Sequence, residues 1–337
     1  ETSDGLRWIA NGKDPYFPAW TDTVQLDYRH RATRTAMTDL LRSIAGRCDG
    51  VRCDMAMLML NDVIAKTWSA FPIADEHCQT EFWADAIPAT QQVNKDFIFL
   101  AEAYWNLEGR LQELGFDYTY DKALYDQIVH RNISDAQNHL LSAPAEYTAH
   151  SAHFLENHDE ARIASLLSVE EQGAAALLIL GLPGMRFLHE GQMTGARMKL
   201  PIQLARRPSE PVQPEIQSIY ERLLGALKKT AVGKGPFHIL KPQAAWAENT
   251  SHQNFFIILW QIEPPEFDLV VVNLAPCHSQ CYVQLKATNL EGHTWSLHDL
   301  LGMENHERIG QELAQKGLYL DLPGHGAQIF HFTPLET

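Results

Sequence analysis

Apolar and polar positions between about residues 30 and 235 follow one repeating pattern. Amphipathic stretches with apolar residues at helical spacing alternate with short apolar runs and with polar loops. The short runs predict five strands, in the segments GVRCDMAML, FIFLAEAYW, FDYTYD, AHFLENHDE and GMRFLHEGQ. Strands that alternate with helices predict βαβ units and a parallel sheet that is covered on both faces.

The helical segments that separate these strands have apolar residues spaced three and four apart. They are TRTAMTDLLRSIAGR, EFWADAIPATQQV, LEGRLQEL, SDAQNHLLSA, SVEEQGAAALLILGL and PEIQSIYERLLGALKKTAV. We therefore interpret residues 30–235 as a α/β domain.

The pattern changes at both ends of the chain. After the boundary segment GKGPF, strand-like runs such as NFFIILWQI and FDLVVVNLA predict a small antiparallel β domain over residues 236–337. Within it, LPGHG predicts a hairpin turn between two strands. Residues 1–29 are rich in Gly, Pro, Asp and aromatic residues and are interpreted as an irregular loop region.

Composition narrows the possible classes of protein. The chain has 337 residues, of which 45% are hydrophobic and 20% charged, which is typical of a folded chain with one large domain and a small one. Its net charge of −15 argues against a nucleic-acid partner. No apolar run approaches the roughly 20 residues that a membrane span needs. The five cysteines suggest buried thiols rather than a disulfide framework, and the compartment stays open.

Charged and polar side chains follow the predicted strands at the points where the strands end. In parallel α/β folds, reactive groups gather at the carboxyl ends of strands, so these positions are the candidate site. They are Arg52 and Asp54, then Glu102, then Asn157, His158 and Asp159, then His189 and Glu190.

Glu102 directly follows the apolar run Phe97–Ala101. Partial desolvation there would raise the pKa of its carboxyl group, as a general acid near neutral pH requires. The alternative is a solvated glutamate where a strand reaches water.

Arg52 and Asp54 are two residues apart and so point to the same face of a strand. A guanidinium beside Asp54 would favour the ionised carboxylate, which can act as a nucleophile. The alternative is a structural ion pair.

Asn157, His158 and Asp159 place two hydrogen-bonding groups and a carboxylate at one strand end. Asp159 could instead cap a helix over EARIASLL. His158 has no second His or Cys at metal-ligand spacing, so we predict no metal site there.

The three carboxylates Asp54, Glu102 and Asp159 fall at three different strand ends, separated by βα units of ordinary length. We therefore expect them to converge on one mouth of a barrel. A retaining glycosidase uses two neighbouring carboxyl groups, one ionised and one protonated.

These motifs resemble glycoside hydrolase family 13, the α-amylase family. Gly50, Arg52 and Asp54 match its G-x-R-x-D motif on the fourth barrel strand, and FIFLAEAYW matches the fifth. Asn157, His158 and Asp159 match its N-H-D motif, GLPGMRFLHEGQ resembles its eighth strand, and TDTVQLDY its segment before the fourth strand. The resemblance implies strands 4–8 of a (β/α)8 TIM barrel followed by an antiparallel β-sandwich.

The resemblance implies a retaining α-glycosidase that acts on α-glucan oligo- or polysaccharides. Asp54 would be the nucleophile and Glu102 the acid and base, while Asp159 would bind sugar hydroxyls. Arg52 would keep Asp54 charged, and His158 would hydrogen-bond the sugar. Further substrate-binding candidates are Asn157, Tyr104, Trp105, His189 and Glu190, with core packing as the alternative for the two aromatic residues.

The chain departs from the family pattern in two places. The D-x-x-x-N-H motif of the third strand is absent, since DAQNH (Asp135–His139) is one residue short and lies in a helical pattern. We therefore expect a missing N-terminal barrel segment to be needed to complete the fold. Met57 and Leu58 occupy the positions where many amylases have Lys-His, so a calcium site is doubtful and no cofactor is expected.

Other functions stay open at this point. A non-catalytic amylase-like binding or scaffold protein is one alternative, although all three carboxylates are present. A transglycosylase of the same family is another. A doubly wound hydrolase would need a G-x-S-x-G nucleophile motif, which the sequence lacks.

Overall fold

The computed structural model describes residues 5, 9–71, 79–201, 204, 206–287 and 289–335. The chain forms two compact units, Glu1–Tyr120 and Asp121–Thr337. The predicted domain division at residues 29 and 235 stays a prediction. No helix in these described ranges is long and apolar enough to cross a membrane.

The described residues of the first unit form five strands and four α-helices. In chain order they are β1 (Asn11–Gly12), β2 (Trp20–Val24), α1 (Arg31–Ala45), β3 (Gly50–Cys53), α2 (Asn61–Thr67), α3 (Phe82–Gln91), β4 (Ile98–Ala101), α4 (Glu108–Glu113) and β5 (Tyr118–Tyr120). The segment predicted as irregular loop therefore contains one regular feature, because β1 and β2 pair antiparallel.

The predicted parallel arrangement is confirmed for β3, β4 and β5. β3 pairs with β4 from Gly50↔Ile98 to Cys53↔Ala101, and β4 pairs with β5. A Cβ atom at position 50 would lie 2.7 Å from the carbonyl oxygen of Ile98, so only glycine lets the two strands approach this closely.

The strand predicted over GVRCDMAML is shorter than expected. β3 ends at Cys53, Met55 has a left-handed backbone with φ 43°, and Ala56–Met59 form a 3₁₀ helix. The apolar residues after Asp54 therefore do not continue the strand. Ala56 and Met57 are fully buried in the core of the first unit, which explains their apolar character.

The second unit begins with α/β structure and continues with β structure. Its helices are α5 (Lys122–Val129), α6 (Ile133–Ser142), α7 (Ala145–Ala149), α8 (Ile163–Leu166), α9 (Val169–Gly181), α10 (Pro214–Leu227) and α11 (Gly310–Lys316). Its strands are β6 (Ser151–His153), β7 (Met185–Arg186), β8 (Phe237–Leu240), β9 (Pro242–Gln243), β10 (Phe255–Trp260), β11 (Phe267–Asn273), β12 (Ser279–Val283), β13 (Thr294–Asp299), β14 (Asn305–Ile309), β15 (Leu318–Leu322) and β16 (Ala327–Leu335). β6 and β7 pair parallel.

The C-terminal strands form two antiparallel sheets. One has the order β14-β13-β16-β11-β10-β8 and the other the order β15-β12-β9. An apolar cluster that includes residues of both sheets contains the fully buried Trp295 and the stacked pair Phe267 and Phe332. The hairpin predicted at LPGHG is wrong, because β15 and β16 belong to different sheets. The turn instead carries the chain from one sheet to the other.

Strands β10 and β11 are buried on both faces, which explains their continuous apolar runs. Ile257, Leu259 and Val271 belong to the cluster that includes residues of both sheets, whereas Ile258 and Val270 belong to a second cluster with α9. The α/β and β parts of this unit therefore share a core.

Candidate active site

Asp54 and Glu102 lie side by side at the carboxyl ends of β3 and β4. The parallel register pairs Cys53 with Ala101, so these two residues are the next ones along each strand. The backbone N–H of Glu102 donates to the carbonyl of Cys53 at 3.0 Å, and that of Ala56 donates to the carbonyl of Glu102 at 3.0 Å. These backbone hydrogen bonds therefore hold Asp54 and Glu102 next to each other.

Arg52 contacts both carboxylates with its two terminal nitrogens. Nη1 lies 2.6 Å from Oδ2 of Asp54, and Nη2 lies 3.0 Å from Oε2 of Glu102. Nε donates to the Tyr120 hydroxyl at 3.3 Å. Burial lowers the pKa of Arg52, but the Tyr120 hydrogen bond and the Glu102 charge outweigh it and the net shift is upwards. One fixed cation therefore orients both acids.

The two carboxylates differ sharply in exposure. The Asp54 side chain is 75% exposed, whereas that of Glu102 is 6% exposed. Glu102 accepts hydrogen bonds from the Met55 N–H at 2.8 Å and from the Tyr104 hydroxyl at 2.7 Å. The expected desolvation of Glu102 is therefore present, and the alternative of a solvated strand end is wrong. The buried Glu102 carboxyl group is in contact with polar groups, namely these two hydrogen-bond donors and the Arg52 guanidinium.

The aromatic residues after Glu102 play different parts. Tyr104 contacts Glu102 through its hydroxyl group, a role that the sequence pattern did not suggest. Trp105 makes an edge-to-face contact with Tyr16, with ring centroids 4.9 Å apart. Trp105 and Asn106 both have positive φ angles, 66° and 59°, so the chain turns tightly just beyond the acid.

In the second unit, Asn157 shapes the turn that presents His158 and Asp159. Its buried Oδ1 accepts hydrogen bonds from the N–H groups of Asp159 at 2.8 Å and of Glu160 at 3.0 Å. His158 and Asp159 stay partly exposed, with His158 Nε2 3.0 Å from Asp159 Oδ2. The alternative of a helix cap is wrong, since the N-cap residue of α8 is Arg162.

Glu156 is a buried acid that the sequence reasoning missed. It is fully buried, with Oε1 3.2 Å from Arg162 Nη1 and 3.3 Å from His189 Nδ1, while Oε2 accepts the Ile163 N–H at 2.6 Å. Burial raises the pKa of Glu156 to about 7, against the opposing effects of the Ile163 hydrogen bond and the Arg162 charge. The sequence did contain a signal for this acid, because Glu156 directly follows the apolar residues Phe154 and Leu155.

His189 and Glu190 occupy two different environments. His189 Nδ1 lies 2.7 Å from Arg162 Nη1, and burial followed by the charge of Arg162 lowers the pKa of His189. Glu190 is exposed and pairs with the exposed Arg207 at 2.5 Å. Arg162 also donates to the Glu190 carbonyl at 2.8 Å, which ties this loop to the Asn157 turn.

The predicted site residues thus form two groups within their own units. Arg52, Asp54, Glu102 and Tyr104 are in contact in the first unit, with Trp105 next in sequence. Asn157, His158 and Asp159 share a turn in the second unit, which Arg162 links to His189 and Glu190. Among the described side chains, no three His, Cys, Asp or Glu residues come together as a metal-ligand cluster.

Comparisons with known proteins agree with this fold. No protein-family model matches the chain. The α-amylase MalA of Haloarcula japonica is 25% identical over 197 residues, which are 56% of this chain and 27% of that protein. The chain therefore spans about a quarter of the length of that relative.

Solved structures match over nearly the whole chain. A maltogenic α-amylase, AmyB, from Thermotoga neapolitana has a TM-score of 0.69 at 20% identity, over 94% of this chain and 69% of that one. The acarbose complex of an α-amylase from Geobacillus thermoleovorans has a TM-score of 0.68 at 15% identity, over 98% and 72%. A debranching enzyme from Nostoc punctiforme has a TM-score of 0.63 at 15% identity, over 96% and 68%.

The chain therefore has the fold of the α-amylase enzymes, a parallel α/β part followed by an antiparallel β part. The resemblance to glycoside hydrolase family 13 that the motifs predict is confirmed at the level of the fold.

Proposed function

We propose that this protein is a retaining α-glycosidase that acts on α-glucans, with its parallel strands arranged as strands 4–8 of a (β/α)8 barrel. The observation that carries the proposal is the Arg52 guanidinium in contact with Asp54 at 2.6 Å and Glu102 at 3.0 Å. Two carboxyl groups about 5–5.5 Å apart characterise retaining glycosidases. Each acid lies within 3.0 Å of the same guanidinium, so Asp54 and Glu102 are neighbours as such a pair requires.

In the first step, the Asp54 carboxylate attacks the anomeric carbon while the bond to the leaving oxygen breaks. Glu102 donates its proton to that oxygen, so the departing sugar leaves as an alcohol. The exposure of Asp54 supports its role as the nucleophile that meets substrate. The product of this step is a glycosyl ester on Asp54.

In the second step, Glu102 takes a proton from water as the water oxygen attacks the anomeric carbon. The ester bond breaks, Asp54 returns as a carboxylate, and Glu102 is protonated again. The Tyr104 hydroxyl suits both states of Glu102, because a hydroxyl group can donate to a carboxylate or accept from a carboxylic acid.

We assign substrate binding to the turn of the second unit. The partly exposed Asp159 and His158 can accept and donate hydrogen bonds to sugar hydroxyls, and Asn157 holds their backbone in place. His189 and Glu190 extend this group through Arg162. The names of the structural relatives, two α-amylases and a debranching enzyme, support an α-glucan as the substrate class.

The proposed chemistry uses side chains alone. The side chains of Met57 and Leu58 carry no oxygen atom, so neither side chain supplies a calcium ligand at this position. We expect a chelator to leave the activity unchanged; loss of activity on chelation and its return with calcium would contradict this part of the proposal.

The experiment is to incubate the protein with maltooligosaccharides and follow the anomeric form of the first products by NMR. We expect products of retained configuration from the wild type and at least a roughly thousandfold lower rate from Asp54→Asn. Asp96→Asn, an exposed aspartate elsewhere in the first unit, is the matched control. Inverted products, an active Asp54→Asn variant, or binding without turnover would each contradict the proposal.

A further inference from the structure

A wide groove lies within the second unit, between helix α6 and the start of the β part. Its volume is about 920 Å³, within the range of small-molecule sites. The residues that line it include Asn138 and His139 of α6, Lys241 and Gln243 around β9, and Lys286 after β12. None of these residues belongs to the proposed active site.

The charge of the groove is opposite to that of the whole chain. Lys241, Lys286, His139 and His252 line it against one acid, Asp135, whereas the chain has a net charge of −15. No ion pair involves Lys241 or Lys286 within the described part of the chain. Burial and then the positive charge of Lys286 lower the pKa of His238, so the charge of Lys286 acts on neighbouring groups. A small anion would supply the missing partner for both ammonium groups.

The two histidines are held by groups behind them. His139 Nε2 lies 2.9 Å from Oδ1 of Asp121, a fully buried carboxylate that also contacts His153 at 3.0 Å and caps α5. Nδ1 of His252 contacts the Asn249 carbonyl at 2.9 Å and therefore carries the proton, which leaves Nε2 for a ligand. These imidazoles are oriented before any ligand arrives.

The other residues that line the groove suit a ligand that carries hydroxyl groups rather than one that stacks on aromatic rings. Gln243, Gln253, Gln284 and Asn138 provide amide donors and acceptors. Among the described residues that line the groove there is no Phe, Tyr or Trp. A single phosphate ion would fill only a small part of about 920 Å³.

We propose that this groove binds a phosphorylated sugar, with Lys241 and Lys286 on the phosphate monoester and the amide side chains on the sugar hydroxyls. The proposal is independent of the glycosidase activity, since it rests on different residues.

The test is calorimetric titration of the full chain, in phosphate-free buffer of low salt, with glucose 6-phosphate, inorganic phosphate and glucose. We expect glucose 6-phosphate to bind most tightly and its affinity to fall as salt is added. Lys241→Ala and Lys286→Ala should each weaken it about tenfold or more, since each removes a charge-assisted contact. Lys95→Ala, which removes the same charge in the first unit, should bind as the wild type does.

Four results would overturn the proposal. Equal affinity for inorganic phosphate would mean a site for the free ion alone. Equal affinity for glucose, or unchanged binding by both lysine variants, would mean that the phosphate is not recognised here. Absence of binding by any of the three compounds would remove the site altogether, and circular dichroism of the variants checks that they are folded.

Discussion

At the residue scale, the proposed chemistry depends on how differently two carboxylates are placed around one guanidinium. Asp54 is open to solvent, while Glu102 is buried and held by Met55, Tyr104 and Arg52. An exposed, oriented carboxylate suits nucleophilic attack, and a buried one with an adjustable hydroxyl partner suits proton transfer. The sequence motif predicted both residues and the contact between Arg52 and Asp54, but not the contact between Arg52 and Glu102. It could not predict the Tyr104 hydroxyl bond, which depends on the tight turn after β4.

Tyr104→Phe tests the role of that hydroxyl. The variant keeps the ring but leaves Oε1 of Glu102 without its 2.7 Å partner, so we expect kcat to fall by about tenfold with little change in KM. Steady-state kinetics with a maltooligosaccharide, compared with Tyr319→Phe as the control, provides the measurement. A lower affinity for substrate with an unchanged kcat would show instead that Tyr104 binds the sugar.

Glu156→Gln tests the buried acid of the second unit. Burial raises the pKa of Glu156 to about 7, against about 4.3 in an unfolded chain. The folded state therefore binds this proton more tightly, and that contribution to stability, at most about 4 kcal/mol, is lost as the pH rises through 7. The glutamine of the variant does not titrate, so the variant lacks this pH-dependent contribution to stability.

Urea unfolding of both proteins between pH 4.5 and 8.5 gives the comparison. The free energy of unfolding of Glu156→Gln, minus that of the wild type, should rise with pH. Glu248→Gln, an exposed position, corrects for the loss of one negative charge. A difference that stays constant across this range would show that Glu156 is not titrating in the folded protein.

At the scale of elements, the length of each strand was harder to predict than its existence. The periodicity predicted β3, β4 and α9, because their apolar patterns follow directly from burial. It extended β3 to residue 58, because an apolar 3₁₀ helix that packs into the core has the same composition as a buried strand. It also joined β15 to β16 as a hairpin, since a turn sequence does not reveal which sheet follows it.

Gly181→Ala tests how closely α9 approaches β11. A Cβ atom at position 181 would lie 2.7 Å from Cγ1 of Val270, and Trp260 Nε1 donates to the Gly181 carbonyl at 2.9 Å. We expect the substitution to lower the free energy of unfolding by about 1–3 kcal/mol through overpacking. Gly225→Ala in α10, where nothing lies within 4 Å, should instead raise it by up to about 1 kcal/mol. Chemical denaturation measures both, and equal effects would contradict this packing account.

At the scale of the whole molecule, the three short motifs around Asp54, Glu102 and Asp159 carried most of what the sequence could predict. They are specific because each combines an apolar strand with polar residues in a fixed order, and the comparisons support the fold that they imply. The groove around Lys241 and Lys286 could not be predicted in this way. Its lining comes from α6, from residues 239–253 and from the segment after β12, three parts of the chain that are far apart in sequence and share no motif.

The most direct test of the central claim is to trap the glycosyl ester. Glu102→Gln should still react with α-maltosyl fluoride, because fluoride leaves without a proton, but should hydrolyse the ester slowly since no base activates water. Mass spectrometry of a rapid digest should then find one maltosyl group on the peptide that contains Asp54. A maltosyl group on the peptide that contains Asp159, or turnover of the fluoride with inverted product and no adduct, would contradict the assignment of Asp54 and Glu102.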